Sequence, residues 1–324
     1  MQKMVSVVVP CRNEERYIKD FMDSLILQDY GISKMEIFIV DGMSSDKTVQ
    51  VVNEYKKLYS SIFLLHNEKQ LVSSSLNLAI SQEKGDLIIR MDVHCIYPYN
   101  YISTLLKYSY LDGVENVGCQ LQTCSKSGTC TSKSISLALA SYIGVGNSLF
   151  RTGVSKPKYV DTVPFGCFHK SIFDRIGNFD IDLVRNQDDE FNGRIIKNGG
   201  KILLIPDISV IYFPREDVYS LFKMYFQYGY YKKLVNIKLK RLTNIRQLVP
   251  LFFVVFLIST IPVLLFDLLF LNPFYIFVII LYLLLIAIES VRLSFKNRSL
   301  KMFYNLLGIF FIIHFSYGLG YFLS

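Results

Sequence analysis

The stretch VSVVVPCRNEERYI, residues 5–18, places a continuous apolar run directly before a charged turn. A strand covered on both faces of a sheet reads as such an uninterrupted, β-branched run, so residues 6–9 predict a buried parallel strand. The apolar spacing after the turn predicts a helix over residues 13–27. A strand followed by a polar turn and a helix is the first unit of an alternating α/β fold.

The same alternation continues along the first third of the chain. Further apolar strand-like runs lie at residues 36–40, 62–65 and 87–91, with helical spacing at residues 46–59 and 71–82 between them. This order predicts an α/β fold with a Rossmann-like, mainly parallel sheet flanked by helices. Ligands of such sheets bind outside the carboxyl ends of the strands. Polar residues follow three of these ends, which predicts a site along this edge: Arg12 and Asn13, Asp41, and Asp92 with His94.

The C-terminal region has the composition of a membrane domain, which we predict over residues 248–324. Residues 250–271, 273–291 and 302–323 are each about as long as the roughly 20 apolar residues that cross a bilayer. Asp267 is expected near the interfacial end of the first span, because a charge at mid-bilayer is costly. The alternative is a buried helical hairpin in a soluble core.

Basic residues predict how these spans are oriented. The 35 Lys and Arg residues exceed the 27 Asp and Glu residues, which gives a formal charge of +8. They concentrate at residues 223–246 and 292–301, beside the apolar runs, whereas the connection near Asn272 has none. Loops rich in Lys and Arg stay in the cytoplasm, so we predict a multi-pass protein of the cell membrane with residues 1–245 on the cytoplasmic face.

Residues 216–247 form a segment of their own between the two regions. Aromatic side chains alternate there with Lys and Arg, which is typical of an amphipathic segment lying in the membrane interface. A stacking platform for single-stranded nucleic acid is the alternative. Because the basic residues lie next to apolar spans, we predict a membrane partner and no nucleic acid.

Cysteine usage and the N-terminus both indicate a cytosolic catalytic region. The six cysteines are scattered without a C-x-x-C pair, as expected for reduced thiols. A zinc site at Cys119, Cys124 and Cys130 is the alternative, although structural zinc ligands usually pair at tighter spacing. The apolar run at residues 4–10 is short and charged residues follow at once, so no signal peptide is expected.

Two acidic motifs could carry chemistry. Asp92 and His94 are two residues apart, so on an extended backbone they point to the same side and can share one metal ion. A divalent cation held there would neutralise a diphosphate leaving group. Asp188, Asp189 and Glu190 form the second motif. Each also has a plainer interpretation, the first as a surface turn and the second as a helix start whose acidic residues complement the helix dipole.

The order of motifs along the chain resembles family 2 glycosyltransferases of the GT-A fold, and most closely the membrane-anchored succinoglycan-biosynthesis type. The matching stretches are VSVVVPCRNEERYI, IFIVDGMSSDKT, NEKQLVSSSLNLAISQEKGDLIIRMDVH, GVGNSLFRTG, VDTVPFGCFHKSIFDRIGNFD, LVRNQDDEFNGRI, PDISVIYFPRE and QYGYYKK. The resemblance implies a GT-A catalytic domain over residues 1–215. Its nucleotide-binding half covers about residues 1–95 and its acceptor half about residues 96–215.

The resemblance also implies the nucleotide-binding residues. They are Pro10, Arg12, Asn13, Glu14, Asp41, Ser44, Asn67, Ser75 and Asp92, with Asn77 nearby. Glu14 would lie near the base or ribose, and Asp41 would accept a hydrogen bond from the N–H of a uracil-type base. Asp92 and His94 would hold the metal, Mg²⁺ or Mn²⁺, at the position where many relatives read D-x-D.

The catalytic residues implied by the resemblance lie in the second motif. Relatives carry a Glu-Asp pair where this chain reads Gln187-Asp188, so Asp188 is expected to be the general base. Asp189 and Glu190 would favour its protonated form through like-charge proximity. Glu190 is also expected to orient the acceptor, and Arg194 to balance the charge. Gly166, Cys167 and His169 would lie at the acceptor-side wall.

The implied reaction is the transfer of a sugar with inversion, from a nucleoside-diphosphate sugar such as a UDP-sugar to a lipid-linked or polysaccharide acceptor. It would serve cell-surface polysaccharide biosynthesis, with export left to other assembly proteins because three spans are few for a channel. One alternative is a polyprenyl-phosphate monosaccharide synthase. Another is a non-catalytic membrane scaffold of the same fold.

Overall fold

A computed structural model describes residues 4–242, 244–265 and 272–324. It divides the chain into two units. The first contains the residues up to Gln122 together with Gly153–Tyr212, and the second contains Thr123–Thr152 together with Phe213–Ser324. The change at Tyr212 lies close to the catalytic-domain end expected at residue 215. Nothing in the sequence pattern indicated that Thr123–Thr152 belongs with the C-terminal helices.

The secondary structure follows the predicted alternation in the first unit. The strands are β1 (Val5–Cys11), β2 (Met35–Asp41), β3 (Ile62–His66), β4 (Leu87–Arg90), β5 (Cys95–Ile96), β6 (Val114–Thr123), β7 (Lys158–Tyr159), β8 (Gly166–His169) and β9 (Lys201–Tyr212). The helices are α1 (Ile18–Ile26), α2 (Thr48–Leu58), α3 (Val72–Ile80), α4 (Tyr101–Ser109), α5 (Cys130–Leu139), α6 (Tyr142–Val145), α7 (Leu149–Thr152), α8 (Lys170–Ile176), α9 (Gln187–Lys197), α10 (Val218–Leu239), α11 (Leu248–Leu265), α12 (Asn272–Lys296) and α13 (Leu300–Leu323).

The strands form one mixed sheet in the order β3-β2-β1-β4-β8-β6-β9-β5, with β7 paired to β9. Strands β1 to β4 run parallel, whereas β8 pairs antiparallel with both β4 and β6. Strands β2 and β3 lie on one side of β1, and β4 lies on the opposite side of β1. The crevice outside the carboxyl ends of β1 and β4 is therefore the expected ligand position in a sheet of this kind. The α/β fold prediction is confirmed.

Burial on both sheet faces explains the apolar runs. Every residue of β2 is buried, and helix α1 buries Ile18, Phe21, Met22 and Leu25 on one side of its axis. Each such side chain stabilises the fold by about 2 kcal/mol relative to exposure. Helix α1 begins at Ile18 and not at residue 13, because residues 13–17 form a turn whose backbone bonds to the next loop.

A group of phenylalanines fixes α9 against the sheet. Phe191, on α9, stacks on Phe173 with ring centroids 4.9 Å apart and contacts Phe179 at 4.6 Å. Phe168 of β8 meets Phe191 edge-on at 5.5 Å. These contacts are favourable beyond the area they bury. They hold the first turn of α9, with its acidic residues, at a defined place in the first unit.

The second unit is built around α13. Helix α10 packs along it so closely that a Cβ on Gly229 would lie 1.9 Å from the carbonyl oxygen of Tyr317, and one on Gly320 would lie 2.0 Å from that of Phe226. Helix α10 therefore buries one stripe of its surface, including Leu221, against other helices. Part of the predicted interfacial segment is thus a packed helix of this unit.

Within the described part of the second unit, three helices are long and apolar enough to cross a membrane: Ile245–Val263, Pro273–Lys296 and Leu300–Leu323. Large apolar side chains such as Phe252 and Phe277 are exposed on the first two. Exposed apolar patches of this extent are unusual on a soluble protein. Pro262 lies inside α11. Asp267 and the predicted end of the first span at residue 271 fall outside the described residues.

Candidate active site

The turns after β1 and β2 are joined by hydrogen bonds at the carboxyl edge of the sheet. The backbone N–H of Asn13 donates to Ser44 Oγ at 2.8 Å, and Asn13 Oδ1 accepts from the Ser45 N–H at 2.9 Å. Asn13 has φ +55°, in the left-handed region that Asn tolerates. Two predicted nucleotide-binding residues, Asn13 and Ser44, therefore shape one preorganised surface. Arg12 lies exposed beside Gly42 on this edge.

Asp41 is buried between these turns. Its side chain is 3% exposed, whereas that of His66, whose Nδ1 lies 3.6 Å from Asp41 Oδ2, is 57% exposed. The Ser44 N–H donates to the Asp41 carboxylate at 3.1 Å. Asp41 thus shapes the loop that faces the expected nucleotide, and its contact with a base stays a prediction. Sequence reasoning did not single out His66, although it is the last residue of β3 at the same edge.

Three further predicted residues use their polar groups inside the fold. Asn67 Nδ2 donates to Ser75 Oγ at 2.8 Å and to the Leu71 carbonyl at 2.9 Å. Asn77 exchanges two hydrogen bonds with the backbone of Phe179, at 2.8 and 3.0 Å. These contacts fix α3 to the loop before it and to the backbone of Phe179. The structure therefore gives Asn67, Ser75 and Asn77 a positioning role, and any contact with nucleotide stays a prediction.

Asp92 and His94 come together through a tight turn. β4 ends at Arg90, and Asp92 Oδ1 accepts the His94 backbone N–H at 2.9 Å while lying 3.2 Å from His94 Nδ1. The Asp92 N–H donates to Tyr97 Oη at 2.7 Å. The two side chains are adjacent as predicted, but an aspartate turn places them there. The prediction that an extended backbone would point both side chains to the same side is wrong in its reason, since β4 ends at Arg90, before Asp92.

Charge around this turn keeps Asp92 ionised. Burial by itself raises the pKa of Asp92, but the hydrogen bond and charge of His94, with a smaller effect from Arg90, lower that pKa to about 2. Glu14 Oε2 lies 3.2 Å from His94 Nε2, so the imidazole bridges two carboxylates. The resemblance placed Glu14 near the base or ribose. In the structure Glu14 has His94 as a partner, and its contact with a base or ribose stays a prediction.

The donor set suits a divalent cation that a diphosphate helps to bind. Among residues 4–242, 244–265 and 272–324, no group of three or more His, Cys, Asp or Glu residues is arranged to hold a metal ion. Mg²⁺ needs only one or two protein carboxylates when substrate phosphates supply other ligands. A histidine ligand backed by a carboxylate on its other nitrogen is the usual arrangement in metal sites. Asp92 and His94, with Glu14 behind, fit that chemistry.

Helix α9 brings Asp188 to the strand that leads into the metal motif. Asn186, with φ +62°, immediately precedes the helix, and Asp188 lies in its first turn. The Asp188 carboxylate forms an ion pair with the guanidinium of Arg90, whose side chain is 7% exposed against 22% for Asp188. The guanidinium also lies over the Phe165 ring, 5.6 Å from its centroid. Sequence reasoning did not identify Arg90.

Glu190 and Arg194 pair with each other on α9. Arg194 Nε donates to Glu190 Oε1 at 2.7 Å, and Glu190 is buried. Arg194 also donates to the carbonyls of Ile176 and Asn178, at 2.6 and 2.7 Å. These bonds fix α9 to the turn after α8. The geometry therefore gives the pair a positioning role, and a contact of Glu190 with the acceptor stays a prediction, as does the role of Asp188 as base.

The residues expected at the acceptor-side wall pack into the fold. Gly166 has φ +109°, and a Cβ there would lie 2.1 Å from Asn116 Oδ1, so only glycine suits this position. His169 Nε2 is 2.7 Å from the carbonyl oxygen of Ser109, and Cys167 is buried. Cys167 and His169 are thus occupied by internal packing. Pro10, another predicted nucleotide residue, is the partly exposed penultimate residue of β1.

Comparison with solved structures identifies the fold. The chain matches a mannosyltransferase from Pyrobaculum calidifontis, solved with GDP-Man and Mn²⁺, with a TM-score of 0.55 and 19% identity over 74% of this chain and 64% of that one. It matches residues 1–349 of TarS from S. aureus with a TM-score of 0.52 and 18% identity, over 69% of this chain and 65% of that one. Each match thus spans less than two thirds of the solved chain. These neighbours are GT-A glycosyltransferases, so the predicted GT-A fold is confirmed.

Comparison with curated proteins identifies relatives that match over a larger share of their own length. The succinoglycan biosynthesis protein ExoA of Rhizobium meliloti is 27% identical over 76% of this chain and 74% of its own. The dolichyl N-acetyl-α-D-glucosaminyl phosphate 3-β-D-2,3-diacetamido-2,3-dideoxy-β-D-glucuronosyltransferase of Methanococcus voltae is 29% identical over 98% of this chain and 96% of its own. The sequence profile described as Glycosyl transferase family 2 matches residues 6–177, which include the turns after β1 and β2 and the Asp92–His94 turn. The chain therefore belongs to glycosyl transferase family 2.

Proposed function

We propose that this protein is an inverting glycosyltransferase that moves a sugar from a nucleoside-diphosphate sugar, most simply a UDP-sugar, to a lipid-linked or polysaccharide acceptor in cell-surface polysaccharide biosynthesis. The observation that carries the proposal is the ion pair between Asp188 and Arg90, because Arg90 lies two residues before Asp92 on the same chain segment. A candidate base and a candidate diphosphate site are thereby brought together from distant parts of the sequence.

The base has a defined task in this reaction. Asp188 accepts the proton of the acceptor hydroxyl, and the oxygen of that hydroxyl attacks the anomeric carbon of the donor. The bond from that carbon to the diphosphate oxygen breaks, and the nucleoside diphosphate leaves with the bonding electrons. A single displacement of this kind inverts the anomeric centre. The Asp188 side chain is 22% exposed, so a substrate can reach it.

Asp92 and His94 serve the leaving group. They would hold Mg²⁺ or Mn²⁺, which supplies positive charge to the diphosphate as its negative charge grows. Glu14 orients the His94 ring through Nε2, and Tyr97 fixes the Asp92 backbone. The P. calidifontis neighbour, solved with GDP-Man and Mn²⁺, supports a divalent cation in this fold.

The second unit supports an acceptor carried on lipid. Its apolar helices could span a membrane, and the basic residues at 292–301 favour an orientation with the catalytic unit on the cytoplasmic face. The M. voltae relative, which matches across the apolar helices, is named for transfer to a sugar on dolichyl phosphate. We infer a similar acceptor class: a sugar already attached to a membrane lipid.

This function is tested by incubating the full-length protein in lipid nanodiscs with a panel of labelled sugar nucleotides. The incubation also contains Mg²⁺ or Mn²⁺ and lipid extract from the source cells. We expect label from one donor to enter the lipid fraction as the outer sugar of an oligosaccharide. Label recovered as a single sugar on polyprenyl phosphate would replace the proposed acceptor with a plain lipid phosphate. Failure of the protein to bind any sugar nucleotide would contradict the enzymatic proposal and favour a scaffold.

A further inference from the structure

Arg90 is the buried cation of the candidate active site. It is the last residue of β4, its side chain is 7% exposed, and the Phe165 ring covers the guanidinium at 5.6 Å. A charge removed from water in this way is strongly unfavourable unless it has an opposite charge nearby. The side chain of Asp188 supplies that charge from a helix far along the chain.

The ion pair constrains the orientation of the Asp188 side chain more than that of the Arg90 side chain. Arg90 extends from a strand hydrogen-bonded on both sides, with Val8 of β1 on one side and Gly166 of β8 on the other, so its backbone cannot shift easily. Asp188 lies in the first turn of a helix that follows a left-handed residue, Asn186. A guanidinium presents a planar fork of donors that orients a carboxylate, which an ammonium group does not do.

We propose that Arg90 is the positioning residue of the base: its guanidinium orients the Asp188 carboxylate toward the acceptor hydroxyl and keeps it ionised until the proton arrives. The proposal rests on the role of Asp188 in the proposed function. An adjacent cation favours the charged form of a carboxylate. This effect opposes the like-charge influence of Asp189 and Glu190, and Arg194 already neutralises Glu190.

Two other roles for Arg90 make different predictions. As a direct ligand of the donor diphosphate, Arg90 would affect donor affinity before it affected the chemical step. As a purely structural group, it would affect stability and leave the pH dependence of transfer unchanged. The proposed role affects kcat and the acidic limb of the pH profile of kcat/KM, and it leaves donor affinity unchanged.

Four variants separate these roles: Arg90→Gln, Arg90→Lys, Asp188→Asn and the double variant Arg90→Gln/Asp188→Asn. Arg175→Gln is the matched control, because Arg175 also pairs with a carboxylate of the first unit, that of Glu115, on an exposed surface. Each full-length variant is assayed for donor affinity by calorimetry, for kcat and acceptor KM, for the pH profile of kcat/KM, and for thermal stability.

We expect Arg90→Gln to lower kcat by about 30-fold, as loss of a partner that orients a reacting group does, with donor affinity within about twofold of the parent. The acidic limb of kcat/KM should move to higher pH, because the carboxylate protonates more readily without its cation. Arg90→Lys should return the limb toward its parental position and recover part of kcat. The double variant should be no slower than Asp188→Asn, and Arg175→Gln should resemble the parent.

Weaker donor binding in Arg90→Gln with an unmoved acidic limb would overturn the proposal in favour of a diphosphate contact. A fully parental kcat in a folded Arg90→Lys variant would overturn it as well, because an ammonium group lacks the planar fork that is proposed to orient the carboxylate, and this arm remains informative where Arg90→Gln does not fold. Normal transfer by Asp188→Asn would refute the base itself. If Asp188→Asn is inactive while Arg90→Gln transfers normally, only the role of Arg90 fails.

Discussion

The Asp92–His94 turn and the first turn of α9 both present carboxylates, but they acquire their partners in different ways. In the turn, Asp92 accepts from the backbone of His94 and lies 3.2 Å from its ring, so both partners come from one short segment. In α9, Asp188 pairs with Arg90, which is distant in sequence, whereas Glu190 pairs with Arg194 on the same helix.

The difference shows why adjacent acidic residues are not interchangeable. A carboxylate whose partner is four residues away on a helix is committed to holding that helix, as Glu190 is. A carboxylate whose partner comes from another element joins two parts of the site, as Asp188 does. Partner identity therefore separates a structural acid from a candidate base where the sequence shows only a run of three acids.

The largest expected effect is that of Asp188→Asn. Loss of a general base typically lowers the rate by about 10²–10⁴-fold, so kcat should fall to this extent while donor affinity stays unchanged. Asp189→Asn, one residue along the same turn, is the control and should remain within about threefold of the parent. Transfer assays measure kcat of both variants, and donor titrations measure their donor affinity. Equal losses in both variants would mean that the helix start acts only through its total charge.

The next effect in size is expected for Asp92→Asn. An amide at this position carries no charge for the cation, so donor binding stimulated by Mg²⁺ or Mn²⁺ should weaken by about 100-fold. Asp86→Asn is the control, because Asp86 is exposed and directly precedes Leu87, the first residue of β4. Donor titration with and without metal ion decides the result. Metal-independent binding of unchanged strength in Asp92→Asn would contradict the metal role of the turn.

Arg194→Gln should act on stability. It leaves the buried Glu190 without its cation and releases the carbonyls of Ile176 and Asn178, at an expected cost of about 2 kcal/mol in the free energy of unfolding. The thermal midpoint should fall by about 5 °C, with donor affinity unchanged at a temperature where the variant is folded. Lys197→Gln on the same helix is the control. A loss of transfer without a loss of stability would restore Arg194 to the reaction itself.

The smallest effect is expected for Glu14→Gln. The variant keeps a hydrogen-bond partner for His94 Nε2 but removes the negative charge, so metal affinity should fall by about tenfold. Glu15→Gln, in the same turn, is the control. Metal-dependent donor binding measures the change. A change in selectivity among nucleobases, with metal dependence intact, would instead support the base or ribose contact that the resemblance implied for Glu14.

Much of this arrangement follows from local sequence. The strands at residues 5–11 and 35–41 are mainly apolar, and polar residues of the edge lie at their ends and in the loops after them. The Asp92–His94 turn is likewise visible, because its contacts are two residues apart. Arg90 was not recognised as a site residue, since an arginine inside a strand carries no signal of the helix that will pair with it.

Local sequence was enough to predict the alternating fold, the family, the polar edge of the sheet and three apolar segments, because periodicity, composition and short motifs are local properties. Three features became visible only in the folded chain: the pairing of Asp188 with Arg90, the pairing of Glu190 with Arg194, and the grouping of Thr123–Thr152 with the C-terminal helices. These outcomes depend on which distant groups satisfy a buried charge or cover an apolar face. Such partners are chosen by the packing of the whole chain.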